Sequence, residues 1–329
     1  MIPQNLVQLK SDRAHVLAFI TLCLALLFVS FAPIFIRWCE TDLGANGTVF
    51  NRLFFFVAFF GTGKLISQRL TPASSDDDPL PFTRRQWLLL GSVGVVSITS
   101  LVLWAISLEY TTVAKSMLLN NLTPIFTTLG SWLFLGRQFD NKFLVGMAIA
   151  LSGAIALGLE DLHSPSAGSL VGDIYALLSA IFLGTYFLIV EQLRFRFSAT
   201  TILLWRCVIG GILLLPIVLV TEGQLFPTTT TAWLAAIGLG VISEGGGQRL
   251  LAESMDKFSS SFVSLFLLLE PIVSAMLAWA IFLETLSTIT WLGFAVVLSG
   301  IYLAQSSQAA TQEKMQPATG DGSPTTSME

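Results

Sequence analysis

Two segments, LTPIFTTLGSW at residues 122–132 and LEPIVSAMLAW at residues 269–279, repeat one pattern at a spacing of 147 residues. The alignment places Pro124 on Pro271 and continues without a gap into the surrounding sequence. Across residues 118–153, 10 of the 36 aligned positions are identical. Chance similarity between two apolar segments gives only a few identities over such a length. The chain therefore contains an internal repeat, and each copy is one structural unit.

The overall composition predicts a protein that lies within a membrane. Of the 329 residues, 53% are hydrophobic and only 12% are charged, and the mean hydropathy is +0.75. Soluble domains carry about 25% charged residues. Because one soluble core cannot bury so much apolar sequence, we expect an all-α integral membrane protein.

The polar residues exclude several classes of function. Only 17 residues are Lys or Arg, and no basic patch with interleaved aromatic residues is present, which excludes nucleic-acid binding as a main role. The three cysteines, Cys23, Cys39 and Cys207, are too few and too scattered for a disulfide framework or a zinc site. The two histidines, His15 and His163, lie near span ends, which argues against a histidine-based catalytic or metal cluster. We expect no metal and no cofactor.

Ten apolar runs are long enough to cross a bilayer, whose hydrocarbon core of about 30 Å needs about 20 helical residues. The first run is too long for a removable signal peptide and lacks a small-residue cleavage pattern, so we count it as a span. Five runs fall in each repeat, and an odd number turns the second copy over relative to the first. The sequence thus predicts ten transmembrane helices in two inverted repeats, at residues 14–160 and 170–305. The runs are 14–37, 48–67, 87–108, 112–135, 142–160, 170–191, 199–221, 231–252, 259–283 and 287–305.

The distribution of basic residues predicts the orientation of the chain. Of the 17 Lys and Arg, 13 fall in segments on the side of the N-terminus, and only Arg37 and Lys115 fall in segments on the other side. Since basic loop residues favour the cytoplasm, both termini are expected there, in a multi-pass cell membrane protein. The loop from Arg69 to Gln86 has the composition of a linker, and residues 306–329 that of a disordered tail.

The repeated motifs carry a resemblance to a known family. Each half contains Pro and a small, apolar run, LTPIFTTLGSWLFLG at 122–136 and LEPIVSAMLAWAIFLE at 269–284, followed by a Gly-containing span that ends in LSG. This pattern resembles the EamA branch of the drug/metabolite transporter superfamily over essentially the whole of residues 14–305. An acidic residue usually follows the FLG position in that family. It is present here as Glu284, whereas the first half has Arg137. The resemblance implies a ten-helix carrier of small metabolites without defining the metabolite.

Two acidic residues are expected near the middle of the membrane. Glu244 and Glu270 each lie roughly 17 Å into a predicted span, at a rise of 1.5 Å per residue. Carboxylates at this depth are costly and usually mark substrate or proton pathways. They could therefore take up protons or pair with a cationic substrate. Alternatively, an arginine or a freed backbone carbonyl satisfies each of them. The first repeat has Ser97 and Thr123 at the corresponding positions, so the acids belong to one half only.

Two arginines also lie within predicted spans and correspond between the repeats. Arg52 and Arg206 match an arginine that is similar to the EamA pattern, early in the second and seventh spans. Both are close enough to a span end to extend to the membrane interface. If they point inward instead, they pair with Glu244 and Glu270 or hold a carboxylate or phosphate of the substrate. The two arginines would balance the two acids.

Glycine and proline residues indicate irregular helices. The run Gly245–Gly247 follows Glu244 directly and favours either an unwound segment beside the acid or close packing of helices. Pro124 and Pro271 each free a carbonyl four residues earlier, which predicts kinks that act as hinges or simply shape the helices. Further candidates for the wall of a substrate cavity are polar or aromatic, although Trp and Tyr near span ends often belong to interfacial belts. They are Asn120, Asn121, Trp104, Tyr175 and Tyr186.

These features predict a secondary transporter of small organic metabolites that works by alternating access, with protons as one candidate coupling ion. No P-loop pattern for ATP is present, and no catalytic residue is assigned. One alternative is a membrane enzyme at a span end, for which His163 beside Glu160 and Asp161 is the only indication. The other is an accessory or sensor subunit that transports nothing. The expected partners are the lipid bilayer and a metabolite, and the sequence leaves a homodimer open.

Overall fold

The computed structural model describes residues 4–70, 83–111, 113–160, 170–282 and 288–311. Within these ranges the regular secondary structure is helical, apart from one isolated antiparallel β-bridge between Phe258 and Thr311. The predicted linker run Asp76–Asp78 and His163 of the enzyme alternative lie outside the described residues. The chain is therefore an all-helical protein, as its composition predicts.

Fifteen α-helices, two π-helices and two 3₁₀ segments make up this described part. Every one of the ten predicted apolar runs overlaps helical residues. The α-helices are α1 Gln4–Ser30, α2 Ala32–Cys39, α3 Ala45–Phe56, α4 Thr62–Leu70, α5 Arg84–Tyr110, α6 Val113–Asn120, α7 Thr123–Leu135, α8 Asn141–Glu160, α9 Leu170–Arg194, α10 Ala199–Thr221, α11 Thr230–Gly238, α12 Arg249–Ser254, α13 Ser260–Phe266, α14 Glu270–Phe282 and α15 Thr288–Gln305. The π-helices are Val57–Gly61 and Leu239–Gln248, and the 3₁₀ segments are Leu267–Leu269 and Gln308–Ala310.

Six helical stretches are long and apolar enough to cross a membrane, which makes the chain a multi-pass membrane protein. Two further apolar helices, Asn141–Ala156 and Trp291–Gln305, are shorter. The predicted runs 112–135 and 231–252 are interrupted or distorted helices. They belong neither to the long apolar stretches nor to the shorter apolar helices. The six long stretches are Val16–Cys39, Ala45–Ser67, Arg84–Ser107, Leu170–Arg194, Ala199–Thr221 and Ser260–Ile281.

The fourth and ninth predicted spans are both broken just before their proline. In the first half, α6 ends at Asn120 and α7 begins at Thr123, with Pro124 in its first turn. In the second half, the 3₁₀ segment Leu267–Leu269 separates α13 from α14, which begins at Glu270. Proline is tolerated in a first turn because its missing N–H has no helical acceptor there. The two halves are therefore interrupted at equivalent places, just before α7 and just before α14.

The glycine-rich stretch of the eighth predicted span widens into the π-helix Leu239–Gln248 and stays helical, where an unwound segment was one of two expectations. The glycines contact large side chains of neighbouring helices. Gly245 lies against the ring of Phe60, Gly246 against Phe28, and Gly247 against Val29. A β-carbon at any of these positions would overlap its neighbour, so glycine permits this close approach.

The helices of the two halves pack in corresponding pairs. α5 packs along α9, and its counterpart in the second half, made of α11, the π-helix Leu239–Gln248 and α12, packs against α1 through the π-helix and α12. α3 contacts this π-helix, and its counterpart α10 contacts α5. α8 packs against its own counterpart α15, and α7 packs against α13. The contacts of α3, α5 and α8 thus have counterparts in the second half, as two copies of one structural unit require.

The contact between α8 and α15 depends on backbone-to-backbone packing. A β-carbon on Gly300 would overlap the backbone of Gly146 and Ala150, and one on Gly146 would meet the backbone of Gly300 and Ala304. By contrast, Gly91 on α5 faces open space. Small residues in such pairs allow membrane helices to approach closely.

Two acidic residues accept hydrogen bonds from backbone N–H groups at or just before the start of a helix, at one end of the bundle. Asp42 accepts hydrogen bonds from the backbone N–H groups of Thr228 (2.5 Å) and Thr229 (2.8 Å), just before α11. The Thr228 hydroxyl also donates to it, and these bonds lower the pKa of the Asp42 carboxyl to about 2. Glu222 accepts from the backbone N–H groups of Asn46 and Gly47 at the start of α3. These contacts connect the two halves, because α3 and Glu222 belong to different repeats.

The beginning of the predicted tail is ordered. Ser259 donates its backbone N–H to the Ala310 carbonyl at 2.9 Å and its hydroxyl to the Ala309 carbonyl at 2.9 Å. Ser307 donates to Asp140. Residues 306–311 therefore dock onto α13, and residues 312–329 lie outside the described part.

Candidate functional site

Glu244 lies at the centre of a buried charge cluster. Its side chain is fully buried on the π-helix Leu239–Gln248. One carboxylate oxygen accepts from Nε of Arg52 at 2.6 Å, and the other accepts from Nη1 of Arg206. The arginine side chains keep 18% and 15% of their surface exposed. Both arginines therefore point into the protein and share one counter-ion, which is one of the two alternatives that the sequence left open.

The polar contacts of the cluster follow the internal repeat. Arg52 of the first half bonds Glu244 of the second half, and Arg206 of the second half donates its Nε to Ser97 of the first half at 2.7 Å. Ser97 is the repeat counterpart of Glu244, just as Arg52 is the counterpart of Arg206. Each arginine thus reaches the equivalent residue of the other half. In the sequence Ser97 is recognisable only as the position without the acid, although the repeat alignment also identifies it as a partner for Arg206.

Arg206 is held on several sides. Its guanidinium lies 5.0 Å from the centre of the Tyr186 ring, a distance typical of a cation–π contact. Tyr186 is itself buried and supports the arginine from behind the cavity wall. The neighbouring Cys207 directs its thiol to Glu244, with 3.7 Å between sulfur and oxygen. Arg206 is thereby fixed in position by residues of three helices.

A cavity of about 260 Å³ opens in front of the arginines. This volume lies just below the range of about 300–1,000 Å³ found for pockets that take drug-sized ligands, so the cavity fits a small molecule. Residues of both halves line it, and its apolar walls include Leu53, Ile98 and Leu183. The polar and aromatic residues around it are Arg52, Ser97, Ser100, Trp104, Asn120, Ser179, Arg206 and Glu270.

Glu270 borders this cavity as the first residue of α14. Unlike Glu244, its carboxylate forms no hydrogen bond or ion pair with any residue in the described ranges. Its backbone carbonyl accepts from Ser30 at 3.4 Å. The two acids therefore have different environments: Glu244 is neutralised by arginines, and Glu270 faces the cavity with its charge uncompensated by a direct partner.

Two more predicted residues lie in the cavity wall. The indole N–H of Trp104 is buried and finds no acceptor in the part of the chain that the structure describes. The side-chain oxygen of Asn120 accepts from the Ser179 hydroxyl at 3.4 Å. Ser179 and Ser100 also exchange hydrogen bonds with each other's carbonyl groups at 2.8 and 2.9 Å. These bonds fix α5, α6 and α9 against one another beside the site.

Comparison with known proteins identifies the family. The model of the EamA-like transporter family matches residues 16–159 and again residues 170–305. The chain belongs to the EamA-like transporter family. An uncharacterized transporter of Archaeoglobus fulgidus is 26% identical to this EamA-like transporter over 66% of the present chain and 75% of its own. The uncharacterized transporter YetK of Bacillus subtilis is 23% identical over 64% of this chain and 66% of its own.

The fold of this EamA-like transporter also occurs among solved structures. One crystal structure superposes with a TM-score of 0.69 at 18% sequence identity, covering 88% of this chain and 97% of the other. At this identity the similarity concerns the fold alone. The helical arrangement described above is therefore an established one.

Several residues predicted for the site lie elsewhere in the EamA-like transporter. Asn121 occupies the turn between α6 and α7 and does not line the cavity. Tyr175 packs against Tyr110, with 6.4 Å between ring centres. Pro124 is buried in the first turn of α7, and Pro271 is exposed in the first turn of α14. The prolines thus shape the cavity through the helix breaks and do not border it.

A second buried ion pair connects the halves away from the cavity. Arg137, just after α7, donates to the fully buried carboxylate of Glu191 on α9. The other oxygen of Glu191 accepts from the backbone N–H of Ser260 at 3.1 Å, at the start of α13. One feature of the sequence points to this contact, because Arg137 stands where the family pattern has an acid. Its partner is 54 residues away and could not be named from sequence.

Proposed function

We propose that this EamA-like transporter is a secondary carrier that moves small organic metabolites by alternating access, with the cavity at Arg52, Arg206 and Glu270 as its substrate site. One observation carries the proposal: both halves contribute charged residues to one cavity at the level where α6–α7 and α13–α14 break. Ionisable residues inside a membrane are costly and mark substrate pathways. Interrupted helices at a site between two repeats are typical of secondary transporters.

The proposal includes ten membrane crossings, with the two repeats inverted and both termini in the cytoplasm. The correspondence of helix pairs between the halves and the bias of 13 basic residues toward one side support this topology. In this orientation Val49 and Trp104 lie toward the external ends of their helices. The contacts of Arg137 with Glu191 and of Glu191 with Ser260 lie at the cytoplasmic ends. Transport then requires these contacts to open while the external end closes.

Glu270 is the proposed group for a coupling proton. Its carboxylate borders the cavity and lacks a described partner, whereas Glu244 is occupied by two arginines. A carboxylate inside a membrane protein that is not paired exchanges protons readily with the cavity. Glu244, by contrast, has a positioning role in this proposal, since it holds both arginines at the cavity wall.

Access to the cavity from both sides tests the proposal. In a variant without Cys23, Cys39 and Cys207, Leu183→Cys places one thiol in the cavity wall. We expect a membrane-impermeant maleimide to react with it both in whole cells and in inside-out vesicles. Ile181→Cys, on the exposed surface of the same helix α9, is the matched control and should react from neither side.

One labelling result would exclude alternating access. If Leu183→Cys reacts from only one side under every condition, the cavity does not change its access, and the chain is not a carrier of this type. Reaction of the lipid-facing control at the same rate would show that the reagent crosses the membrane, and the experiment is then repeated with a larger reagent.

A further inference from the structure

We propose that residues 307–311, the strap, form a latch that holds the cytoplasmic end of the transporter closed. The inference rests on the proposed carrier function, because a latch acts only on a protein that opens at this end. It adds to that function a control element outside the substrate cavity. The strap follows α15 directly and lies at the beginning of the predicted tail.

The strap is anchored on a closely packed pair of helices. Ser307 donates its hydroxyl to the carboxylate of Asp140, just before α8. Asp140 also accepts from the backbone N–H of Phe143 in the first turn of α8, at 3.1 Å. Because α8 and α15 pack backbone to backbone at Gly146 and Gly300, both attachments of the strap belong to one tightly packed unit.

The free side of the strap holds the start of α13. The backbone N–H of Ser259 donates to the Ala310 carbonyl at 2.9 Å, and its hydroxyl donates to the Ala309 carbonyl at 2.9 Å. Phe258 forms the antiparallel bridge with Thr311. Ala310 is 1% exposed and belongs to the same buried apolar cluster as Phe258. The strap therefore contributes polar and apolar contacts to the residues that precede α13.

The first turn of α13 joins the two halves at the cytoplasmic end. Ser260 donates its backbone N–H to Glu191, which pairs with Arg137 of the first half. Ser261 donates its hydroxyl to the hydroxyl of Ser131 on α7 at 3.0 Å, in a buried contact between the halves. In the proposed transport cycle these contacts separate when the cavity opens to the cytoplasm. The residue that the strap holds directly precedes them, so the strap keeps α13 in the position that closes this end.

Release of the strap should shift the balance between the two access states. A contact made in only one state stabilises that state relative to the other. The loss of one hydrogen bond changes such an equilibrium by about two- to tenfold. Without the strap, conformations open to the cytoplasm become more populated, and conformations open to the outside become less populated. A general loosening of the fold would instead raise access from both sides.

A charge placed beneath the strap tests this shift. Ala310→Asp puts a carboxylate at a buried position and should detach the strap, because an unpaired buried charge is costly. Gln308→Asp puts the same charge on an exposed strap residue and is the matched control. Both are made in the full-length protein that carries Leu183→Cys and lacks the native cysteines. Relative to the control, we expect Ala310→Asp to react with the impermeant maleimide at least about threefold faster in inside-out vesicles, and more slowly in whole cells.

A milder pair of variants serves if Ala310→Asp does not fold. Ser259→Ala removes the hydroxyl bond to the strap and also the N-cap of α13. Ser198→Ala removes an equivalent N-cap at the start of α10, where the described structure places no strap contact. We expect faster reaction in inside-out vesicles for Ser259→Ala alone, by about two- to tenfold for the lost bond.

Equal rates for Ala310→Asp and Gln308→Asp in inside-out vesicles overturn the inference, and so does an increase of similar size from both sides. The parent protein with Leu183→Cys decides the carrier proposal separately. A parent that reacts from both sides, with strap variants that match their controls, leaves the carrier standing and rejects the latch. A parent that reacts from one side only rejects the carrier, whatever the strap variants do.

Discussion

Replacing Glu244 by glutamine should destabilise the protein, whereas the same change at Glu270 should not. In Glu244→Gln the amide oxygen can still accept from one arginine, but the amide NH₂ then faces the other arginine, donor against donor. Two guanidinium groups remain with no counter-ion between them. Removing one partner of a buried ion pair costs about 3–5 kcal/mol. Because the two arginines are 18% and 15% exposed, we take the lower end, about 3 kcal/mol.

The lost free energy of unfolding in Glu244→Gln lowers the melting temperature. A destabilisation of 1 kcal/mol lowers the melting temperature of a protein of 150–250 residues by about 2–4 °C, and that of a longer chain by less. We therefore use about 2 °C per kcal/mol here. The expected decrease for Glu244→Gln is about 6 °C. Glu270→Gln removes a carboxylate without a described partner, so its melting temperature should change by less than about 2 °C.

Thermal unfolding in detergent, followed with a thiol-reactive dye, measures both variants. Cys39 and Cys207 are buried and become reactive on unfolding, whereas the exposed Cys23 is replaced by alanine to remove the background signal. Equal shifts for the two variants would refute the reasoning, because the acids would then have equivalent surroundings. A larger shift for Glu270→Gln would show that Glu270, and not Glu244, neutralises the arginines.

Three further perturbations test the packing of α15 against α8, the hydrogen bonds of Asp42 and the ion pair of Glu191. Gly300→Ala should lower the melting temperature by several degrees, since overpacking costs about 1–3 kcal/mol. Gly91 faces open space, so Gly91→Ala should leave the melting temperature unchanged or raise it. Equal shifts for the two variants would contradict the packing argument. Stability should decrease as the pH falls from about 4 toward 2, because the pKa of Asp42 is lowered to about 2 in the folded protein and stands near 3.9 when unfolded. Asp42→Asn should reduce this dependence in a pH series of melting curves, and an unchanged slope would assign it to other groups. Glu191→Gln should increase maleimide reaction of Leu183→Cys in inside-out vesicles, and an unchanged rate would show that this contact does not close the cavity.

The helices of this protein could be predicted because their signals are local. Apolar runs of about 20 residues and the punctuating prolines are visible in any window of the sequence. The breaks before Pro124 and Pro271 follow from the missing N–H of proline and from the repeat, which shows the same residue at the same place twice. The number of membrane crossings is harder to predict from local signals. Runs such as 231–252 contain a distorted helix, which length and hydropathy alone do not classify as a membrane span.

The direction of a charged side chain depends on distant residues and could not be predicted. Arg52 lies near a span end, where extension to the interface and an inward position are both compatible with the sequence. The choice is made by Glu244, which is 192 residues away and lies on a helix of the other half. The same holds for Glu244 and Glu270. The sequence predicts both at a similar depth in their spans, whereas in the fold Glu244 pairs with two arginines and the Glu270 carboxylate has no described partner.

The asymmetry between the halves has a physical reason in the charge cluster. Two symmetric repeats would place two arginines and two serines at this level, and the resulting pair of positive charges would lack a counter-ion inside the membrane. One carboxylate at Glu244 is enough to bond both arginines, since each of its oxygens accepts from one of them. A second carboxylate at the Ser97 position would pair directly with a guanidinium group, whereas the Ser97 hydroxyl accepts only a hydrogen bond from Arg206. The single acid therefore keeps one guanidinium available at the cavity, and the cavity-facing Glu270 restores neutrality from a different helix.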